Sequence, residues 1–253
     1  MLRFESFDGT RIAYTEDGDP GGPAVLLHHG FAADTVANWT RPGVVRVLAA
    51  TGRRVVSIDA RGHGESDKPH DPKAYGGNAM VRDVQALLDH LGIDAVDVVG
   101  YSMGSFVSAA LVPDEPRARS LVLGGVGAAL TAGRPRGLSA LADALEADDP
   151  STITDATARG FRLFADSTGA DRLALAALQR AERAHDSSRL ADIDVPTLVL
   201  VGDADVLVGP PQPLADAIPG ARVKVVSGDH LSAVADPAFA QALVDFLAEV
   251  SPA

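Results

Sequence analysis

Short, uninterrupted apolar runs separated by amphipathic helical patterns constrain the fold of this chain most strongly. Such runs are typical of strands that are buried on both faces of a sheet. They occur at residues 24–28, 54–58, 96–99, 120–123 and 197–201. Because helical patterns lie between them, the sequence predicts an α/β fold, with a mostly parallel sheet covered by helices on both faces.

Weaker patterns extend this sheet and close the chain. Residues 11–16 alternate between apolar and polar, as a half-exposed strand does. Residues 221–226 also alternate, which favours a position at the sheet edge. A final helix is predicted after Asp236 and Pro237, because apolar residues then recur at helical spacing.

One region breaks the alternation of strands and helices. Between residues 126 and 191 there is no strand-like run, and helical patterns occupy 138–146, 151–164 and 171–185. We interpret this region as a helical cap inserted into a single α/β domain rather than as an independent domain. The predicted core is 1–125 and 192–253, and the predicted cap is 126–191.

Composition narrows the classes of function that the chain can serve. The 253 residues carry a formal net charge of −12, and a surface this acidic repels phosphate backbones, so nucleic-acid binding is not expected. There is no cysteine, which excludes a thiolate nucleophile and a cysteine-based zinc site. No apolar run approaches the ~20 residues of a membrane span, and the first residues show no signal-peptide pattern. We therefore expect a cytoplasmic protein that does not bind membranes; the sequence does not indicate its oligomeric state.

The motif with the most chemical content is Gly100-Tyr101-Ser102-Met103-Gly104. It follows a predicted buried strand and precedes a predicted helix, which is the context that a G-x-S-x-G nucleophile elbow requires. A tight turn of this kind exposes the serine hydroxyl at the carboxyl end of the sheet. The motif therefore predicts that Ser102 is a nucleophile.

A serine hydroxyl needs a base, and the base needs an orienting acid. Downstream of Ser102 the histidines are His185, in a polar stretch of the predicted cap, and His230, in a loop after the last strand. We choose His230, because that loop lies at the carboxyl edge of the sheet. Asp203 and Asp205 compete as the acid; the usual G-x-x-D pattern after this strand favours Asp205, while Asp203 suits a turn-capping role.

The chemistry also requires donors for a developing oxyanion. The backbone N–H of Met103, directly after the nucleophile, is one candidate. The second is the backbone N–H of Phe31, in the loop after the strand 24–28, where Gly30 allows a close approach of the backbone.

Taken together, these motifs resemble those of the α/β-hydrolase superfamily over essentially the whole chain. The matching segments, in the family's order, are His29-Gly30-Phe31, Asp59-Ala60-Arg61-Gly62-His63-Gly64-Glu65-Ser66-Asp67, Gly100-Tyr101-Ser102-Met103-Gly104, Gly202-Asp203-Ala204-Asp205 and Gly228-Asp229-His230. The resemblance implies a catalytic triad of Ser102, Asp205 and His230, with Phe31 and Met103 forming the oxyanion hole. It implies neither a metal nor an organic cofactor. A serine at position 102, where an aspartate would be needed, argues against the epoxide-hydrolase and dehalogenase branches.

The expected function is a serine hydrolase that cleaves carboxylic esters through an acyl-enzyme intermediate. The same triad would serve a lactonase, a C–C bond hydrolase of ring-cleavage products, or a cofactor-free perhydrolase of the haloperoxidase type. A non-catalytic binding module is a further alternative, since fold alone does not settle function. The expected partner is a small ester or lactone.

Several residues leave two interpretations open. Arg159 or Arg162 could grip a charged substrate, as a C–C hydrolase would require. Phe161 and Phe164 fit either a pocket lining or cap packing, and Trp39 fits either a pocket wall or the core. A glycine-rich run that starts at Gly124 does not complete the G-x-G-x-x-G pattern, so dinucleotide binding is not expected.

Overall fold

The computed structural model describes residues 1–132, 138–182 and 186–252. Within them, eight strands form one sheet in the order β1-β2-β4-β3-β5-β6-β7-β8. The strands are β1 (Leu2–Glu5), β2 (Arg11–Gly18), β3 (Ala24–His28), β4 (Arg54–Ile58), β5 (Val96–Tyr101), β6 (Ala118–Gly124), β7 (Thr197–Gly202) and β8 (Arg222–Val226). The pairs β1/β2 and β2/β4 are antiparallel and all other pairs are parallel, which confirms the predicted sheet.

Helices cover both faces of this sheet. They are α1 (Val44–Ala49), α2 (Ala79–His90), α3 (Met103–Leu111), α4 (Ala128–Thr131), α5 (Leu138–Glu146), α6 (Ala156–Thr168), α7 (Arg172–Arg180), α8 (Gln212–Asp216) and α9 (Pro237–Val250). Apolar side chains of α2, α3 and α8 share one core cluster with the sheet. Those of α1 and α9 share another cluster with the sheet.

The burial of each strand follows its sequence pattern. Every residue of β3, β5 and β7 is buried, as their continuous apolar runs predict. The alternating strand β8 lies at the sheet edge, and most of its residues are not buried. At the opposite edge lies β1, which the sequence patterns do not single out because it is short and has a single buried residue.

The residues between β6 and β7 contain α4 to α7, and those that the structure describes there include no strand. Helix α6 begins at Ala156 rather than at 151, because the Asp155 side chain accepts the N–H of Ala158 and caps the helix there. Helix α7 ends at Arg180, short of the expected 185, and residues 183–185 of that expectation lie outside the described residues.

Parallel strands direct their carboxyl ends toward one edge of the sheet. The loops that follow β3, β5, β7 and β8 therefore meet at that edge, below the helical insert. In α/β folds this edge is where ligands bind. In the described part of the chain, no helix has the length and apolarity to span a membrane.

Candidate active site

Ser102 lies at the sharp turn between β5 and α3. Its φ of 50° and ψ of −112° place it in a conformation that non-glycine residues rarely adopt. The turn is tight because a Cβ on Gly100 would lie 2.4 Å from the carbonyl oxygen of Gly104. The Ser102 N–H donates to the Gly124 carbonyl at 2.8 Å, which fixes the turn on the neighbouring strand β6. The predicted strand–turn–helix context of the motif is therefore present.

Side chains from three different loops meet at this turn. The His230 Nε2 lies 2.9 Å from the Ser102 Oγ, and the His230 Nδ1 lies 2.7 Å from the Asp205 Oδ2. The Asp205 side chain is fully buried and that of His230 is 9% exposed. Because a carboxylate only accepts hydrogen bonds, Nδ1 carries the proton and Nε2 is left to accept the serine hydroxyl. The structure thus brings together the three residues that the sequence selects.

Asp203, the competing acid, and the neighbouring Asp229 brace the loops instead. The Asp203 Oδ1 accepts the N–H of Gly228, which joins the loop after β7 to the loop that carries His230. The Asp229 carboxylate accepts the Ser232 hydroxyl and the N–H groups of Ser232 and Leu231, and these bonds lower the pKa of Asp229. His185, the alternative base, lies outside the described residues.

The loop that carries Phe31 is clamped next to the nucleophile. The Gly30 N–H donates to the Asn38 Oδ1 at 2.9 Å, and the Gly30 carbonyl accepts the His29 Nδ1–H at 2.8 Å. A Cβ on Gly30 would lie 3.4 Å from the Ser102 Cβ, so this backbone passes directly beside the serine. The peptide that bears the Phe31 N–H is therefore fixed beside the nucleophile.

The second candidate donor is the N–H of Met103. It belongs to the first turn of α3, whose amides have no acceptor within the helix. In the described part of the protein, neither the N–H of Phe31 nor that of Met103 is engaged by an acceptor.

Asn38 is a site residue that sequence reasoning missed. It lies in a short π-helical turn, Val36–Thr40, and is buried. No motif marks an asparagine at this position. Its contact with Gly30 emerges only when the π-helical turn folds back onto the loop after β3.

Two further histidines near the site, His28 and His63, are buried. The His63 Nδ1 donates to the Arg61 carbonyl at 3.1 Å, and this bond braces the loop after β4. Burial lowers the pKa of His28 to about 3 and holds the pKa of His63 well below its ordinary value, so both rings are neutral. Among the described residues, no three side chains are grouped as metal ligands would be.

An apolar cluster lies between the sheet edge and the helical insert. The Phe31 ring packs edge-to-face against Phe161 of α6, with ring centroids 5.8 Å apart. Met103, Val107 and Phe164 belong to the same cluster. The two phenylalanines of α6 therefore face the core of the molecule above the nucleophile.

Trp39 is fully buried, and its ring meets Tyr101 edge-to-face at 6.3 Å. It belongs to the core cluster beneath α1 and α9, so the interpretation of Trp39 as a pocket wall is wrong. The indole packs below the site, on the sheet.

Of the two arginines considered for substrate binding, one is paired within the helical insert and the other is exposed. Arg162 is 3% exposed; its guanidinium pairs with Asp166 and donates to the carbonyls of Ala144 and Ala147. Arg159 is exposed on the same helix. Arg162 therefore ties α5 to α6, and it does not have a guanidinium free for a substrate.

Comparisons with known proteins agree with this fold. The family model described as "alpha/beta hydrolase fold" matches residues 23–131. An enol-lactonase from Burkholderia xenovorans LB400 superposes with a TM-score of 0.80 at 25% identity, covering 97% of this chain and 99% of that one. The esterase RhEst1 from Rhodococcus sp. ECU1013 superposes with a TM-score of 0.78 at 26% identity, covering 99% of each chain.

A curated relative, epoxide hydrolase A from Mycobacterium tuberculosis, is 33% identical over 105 residues, which cover 42% of this chain and 32% of that protein. The chain thus matches only about a third of the length of the curated relatives of this kind. The sheet order, the elbow at Ser102 and the family match together show that the chain has the α/β-hydrolase fold.

Proposed function

We propose that this protein is a serine hydrolase that cleaves carboxylic esters through an acyl-enzyme intermediate. The observation that carries the proposal is the continuous path of hydrogen bonds from the Ser102 Oγ through His230 to the buried carboxylate of Asp205, at 2.9 and 2.7 Å. This arrangement matches the roles of nucleophile, base and orienting acid.

In the first half of the reaction, the Ser102 Oγ attacks the ester carbonyl while His230 Nε2 takes the hydroxyl proton. The carbonyl oxygen becomes an anion that accepts the N–H groups of Phe31 and Met103. Collapse of this intermediate breaks the C–O bond of the ester, and His230 gives its proton to the departing alcohol. Asp205 stabilises the transient imidazolium and fixes the ring orientation.

In the second half, a water molecule takes the place of the alcohol. His230 removes a proton from the water as its oxygen attacks the acyl carbon. The ester bond to Ser102 then breaks, and His230 returns the proton to the serine oxygen. The products are a carboxylic acid and an alcohol, and no metal or organic cofactor enters any step.

The apolar cluster around Phe31 and Phe161 supports an uncharged acyl group as the substrate portion nearest the serine. The paired state of Arg162 argues against a carboxylate-bearing ring-cleavage product as the substrate. Lactones are the second candidate, because the enol-lactonase similarity covers nearly the whole of both chains.

Hydrolysis of p-nitrophenyl acetate, butyrate and octanoate by the wild type and by Ser102→Ala tests the proposal. We expect activity in the wild type with a preference for one chain length, and its loss in Ser102→Ala. Ser108→Ala is the matched control, because this buried serine lies further along α3, beyond the elbow. Hydrolysis that survives Ser102→Ala would refute the assigned nucleophile. Ser102-dependent opening of lactones without ester hydrolysis would favour the second candidate.

A further inference from the structure

The side chain of Tyr101 links the nucleophile elbow to the loop that carries the base. Its hydroxyl donates to the main-chain carbonyl of His230 at 2.8 Å. Its ring also lies against the His230 imidazole, with centroids 5.8 Å apart. Since Tyr101 directly precedes Ser102, the end of one strand supplies both the nucleophile and a contact to the base.

The Tyr101 ring is itself held in place from several sides. It meets Trp39 and Phe239 edge-to-face, at 6.3 and 5.8 Å. A Cβ on Gly124 would lie 2.9 Å from the ring, and a Cβ on Gly125 would lie 2.8 Å from its Cζ. The Gly124-Gly125 pair, which resembles part of a dinucleotide loop in the sequence, has a physical reason here: it leaves space for this phenol.

The hydroxyl keeps its proton under ordinary conditions. Burial raises the pKa of Tyr101, and the nearby carboxylates of Asp205 and Asp229 raise it further. The phenol is therefore a permanent donor to the His230 carbonyl.

The rest of the His230 loop is anchored on either side of the histidine. The Asp203 carboxylate accepts the Gly228 N–H before it, and the Asp229 carboxylate accepts the Ser232 N–H after it. Within the described residues, the hydrogen bond from Tyr101 is the one found on the main-chain N–H and C=O groups of His230, and it engages the C=O. In the same peptide the Leu231 N–H donates to the Asp229 carboxylate, so Tyr101 and Asp229 together fix the peptide from which the imidazole extends, and Tyr101 is the donor to its carbonyl.

We propose that Tyr101 is a positioning residue, whose hydroxyl holds the His230 main chain so that Nε2 and Nδ1 stay aligned on Ser102 and Asp205 as the ring gains and loses a proton. The inference rests on the proposed function, because that function requires His230 to transfer protons twice in each turnover. A misplacement of about 1 Å in such a group costs on the order of 10²-fold in rate.

Tyr101→Phe removes the hydroxyl and keeps the ring. Tyr75→Phe is the matched control, because Tyr75 is equally buried and its hydroxyl donates to the main-chain carbonyl of Pro69 at 2.6 Å. We expect kcat for p-nitrophenyl butyrate to fall roughly 10- to 100-fold in Tyr101→Phe, with KM within about twofold of the wild type. Tyr75→Phe should keep both constants within about twofold. Equal kcat values in the two variants would overturn the proposal. They would mean that the Tyr101 hydrogen bond, like that of Tyr75, contributes only to stability.

A second readout does not depend on activity. In protein with ¹⁵N-labelled histidine, the Nδ1 proton that His230 shares with Asp205 has its own NMR resonance. We expect this resonance to shift or to broaden by exchange with water in Tyr101→Phe and to stay unchanged in Tyr75→Phe. An unchanged resonance in Tyr101→Phe would overturn the proposal whatever the kinetics. If the wild type shows no Ser102-dependent hydrolysis, the proposed function fails, and this resonance still decides the positioning role.

Discussion

At the residue scale, the choice between two aspartates after β7 decides the proposed mechanism. Asp205 reaches His230 with a fully buried carboxylate, whereas Asp203 accepts a main-chain N–H in the neighbouring loop. The two carboxylates lie two positions apart in the chain, yet only one contacts the base. Substitution of each aspartate should therefore affect kcat differently.

Asp205→Asn should lower kcat for a p-nitrophenyl ester by roughly 10⁴-fold, because an amide donates to Nδ1 and stabilises the wrong imidazole tautomer. Asp203→Asn keeps an acceptor for the Gly228 N–H, so its kcat should stay within about tenfold of the wild type. Steady-state kinetics of both variants check this. A larger loss in Asp203→Asn than in Asp205→Asn would reverse the assignment of the acid.

Residue types and motif order predict which chemical groups meet, and they do so here for Ser102, Asp205 and His230. They do not predict Asn38, whose contact depends on how a π-helical turn folds back onto the loop after β3, or Tyr101, whose contact lies in a loop far away in the chain. A G-x-S-x-G motif accepts many residues at its second position. The role of Tyr101 becomes visible only from its contacts with the Gly124-Gly125 pair and with the His230 loop.

At the element scale, the helical insert shows how a charged side chain can serve packing. Arg162 extends from α6 and donates to two carbonyls near the end of α5, while it pairs with Asp166 on its own helix. A helix end leaves carbonyls without intrahelical partners, and the guanidinium satisfies them. The insert is thus joined internally by one buried cation.

Arg162→Met should therefore destabilise the protein by about 1–3 kcal/mol, because the carbonyls of Ala144 and Ala147 lose their donor, whereas the exposed Asp166 still pairs with Arg172. Arg159→Met, on the exposed face of the same helix, should change stability by no more than about 0.5 kcal/mol. Urea unfolding followed by circular dichroism measures both. A selective rise in KM for carboxylate-bearing esters in folded Arg162→Met would instead indicate the substrate-gripping role.

Element boundaries were less predictable than element types. The apolar runs predict β3 to β7 well, because burial on both faces leaves an unambiguous pattern. Helix α6 begins later than predicted, since Asp149 and Asp155 are both capping residues and the first of them starts only a short 3₁₀ turn, Pro150–Thr152. The sequence offers both starts, and packing of the insert selects the second.

At the scale of the whole molecule, buried neutral histidines couple folding to pH. His28 and His63 are almost completely buried, and the pKa of each is lowered by loss of solvation. The unfolded chain protonates these rings below about pH 6.5, whereas the folded protein keeps them neutral. The contribution of these two histidines to the free energy of unfolding is therefore fully present above this pH. It is lost as the pH falls toward 3.

We expect the free energy of unfolding to decrease between pH 6.5 and pH 4.5 in urea titrations, and His28→Gln to weaken this dependence by up to about 1.4 kcal/mol per pH unit. Leu27→Val, a non-titrating change on the same buried strand, should lower stability without altering the slope. A slope in His28→Gln equal to that of the wild type would show that His28 does not contribute.

If the proposed mechanism holds, Ser102 carries the acyl group during turnover. The most direct measurement is rapid reaction with p-nitrophenyl butyrate, acid quench and peptide mass mapping. We predict a burst of p-nitrophenolate that approaches one equivalent per chain when deacylation is the slower step. We also predict a mass increase of one butyryl group on the peptide that contains Ser102, absent in Ser102→Ala. Continued hydrolysis with the acyl group on another residue, or with none on Ser102, would contradict the account.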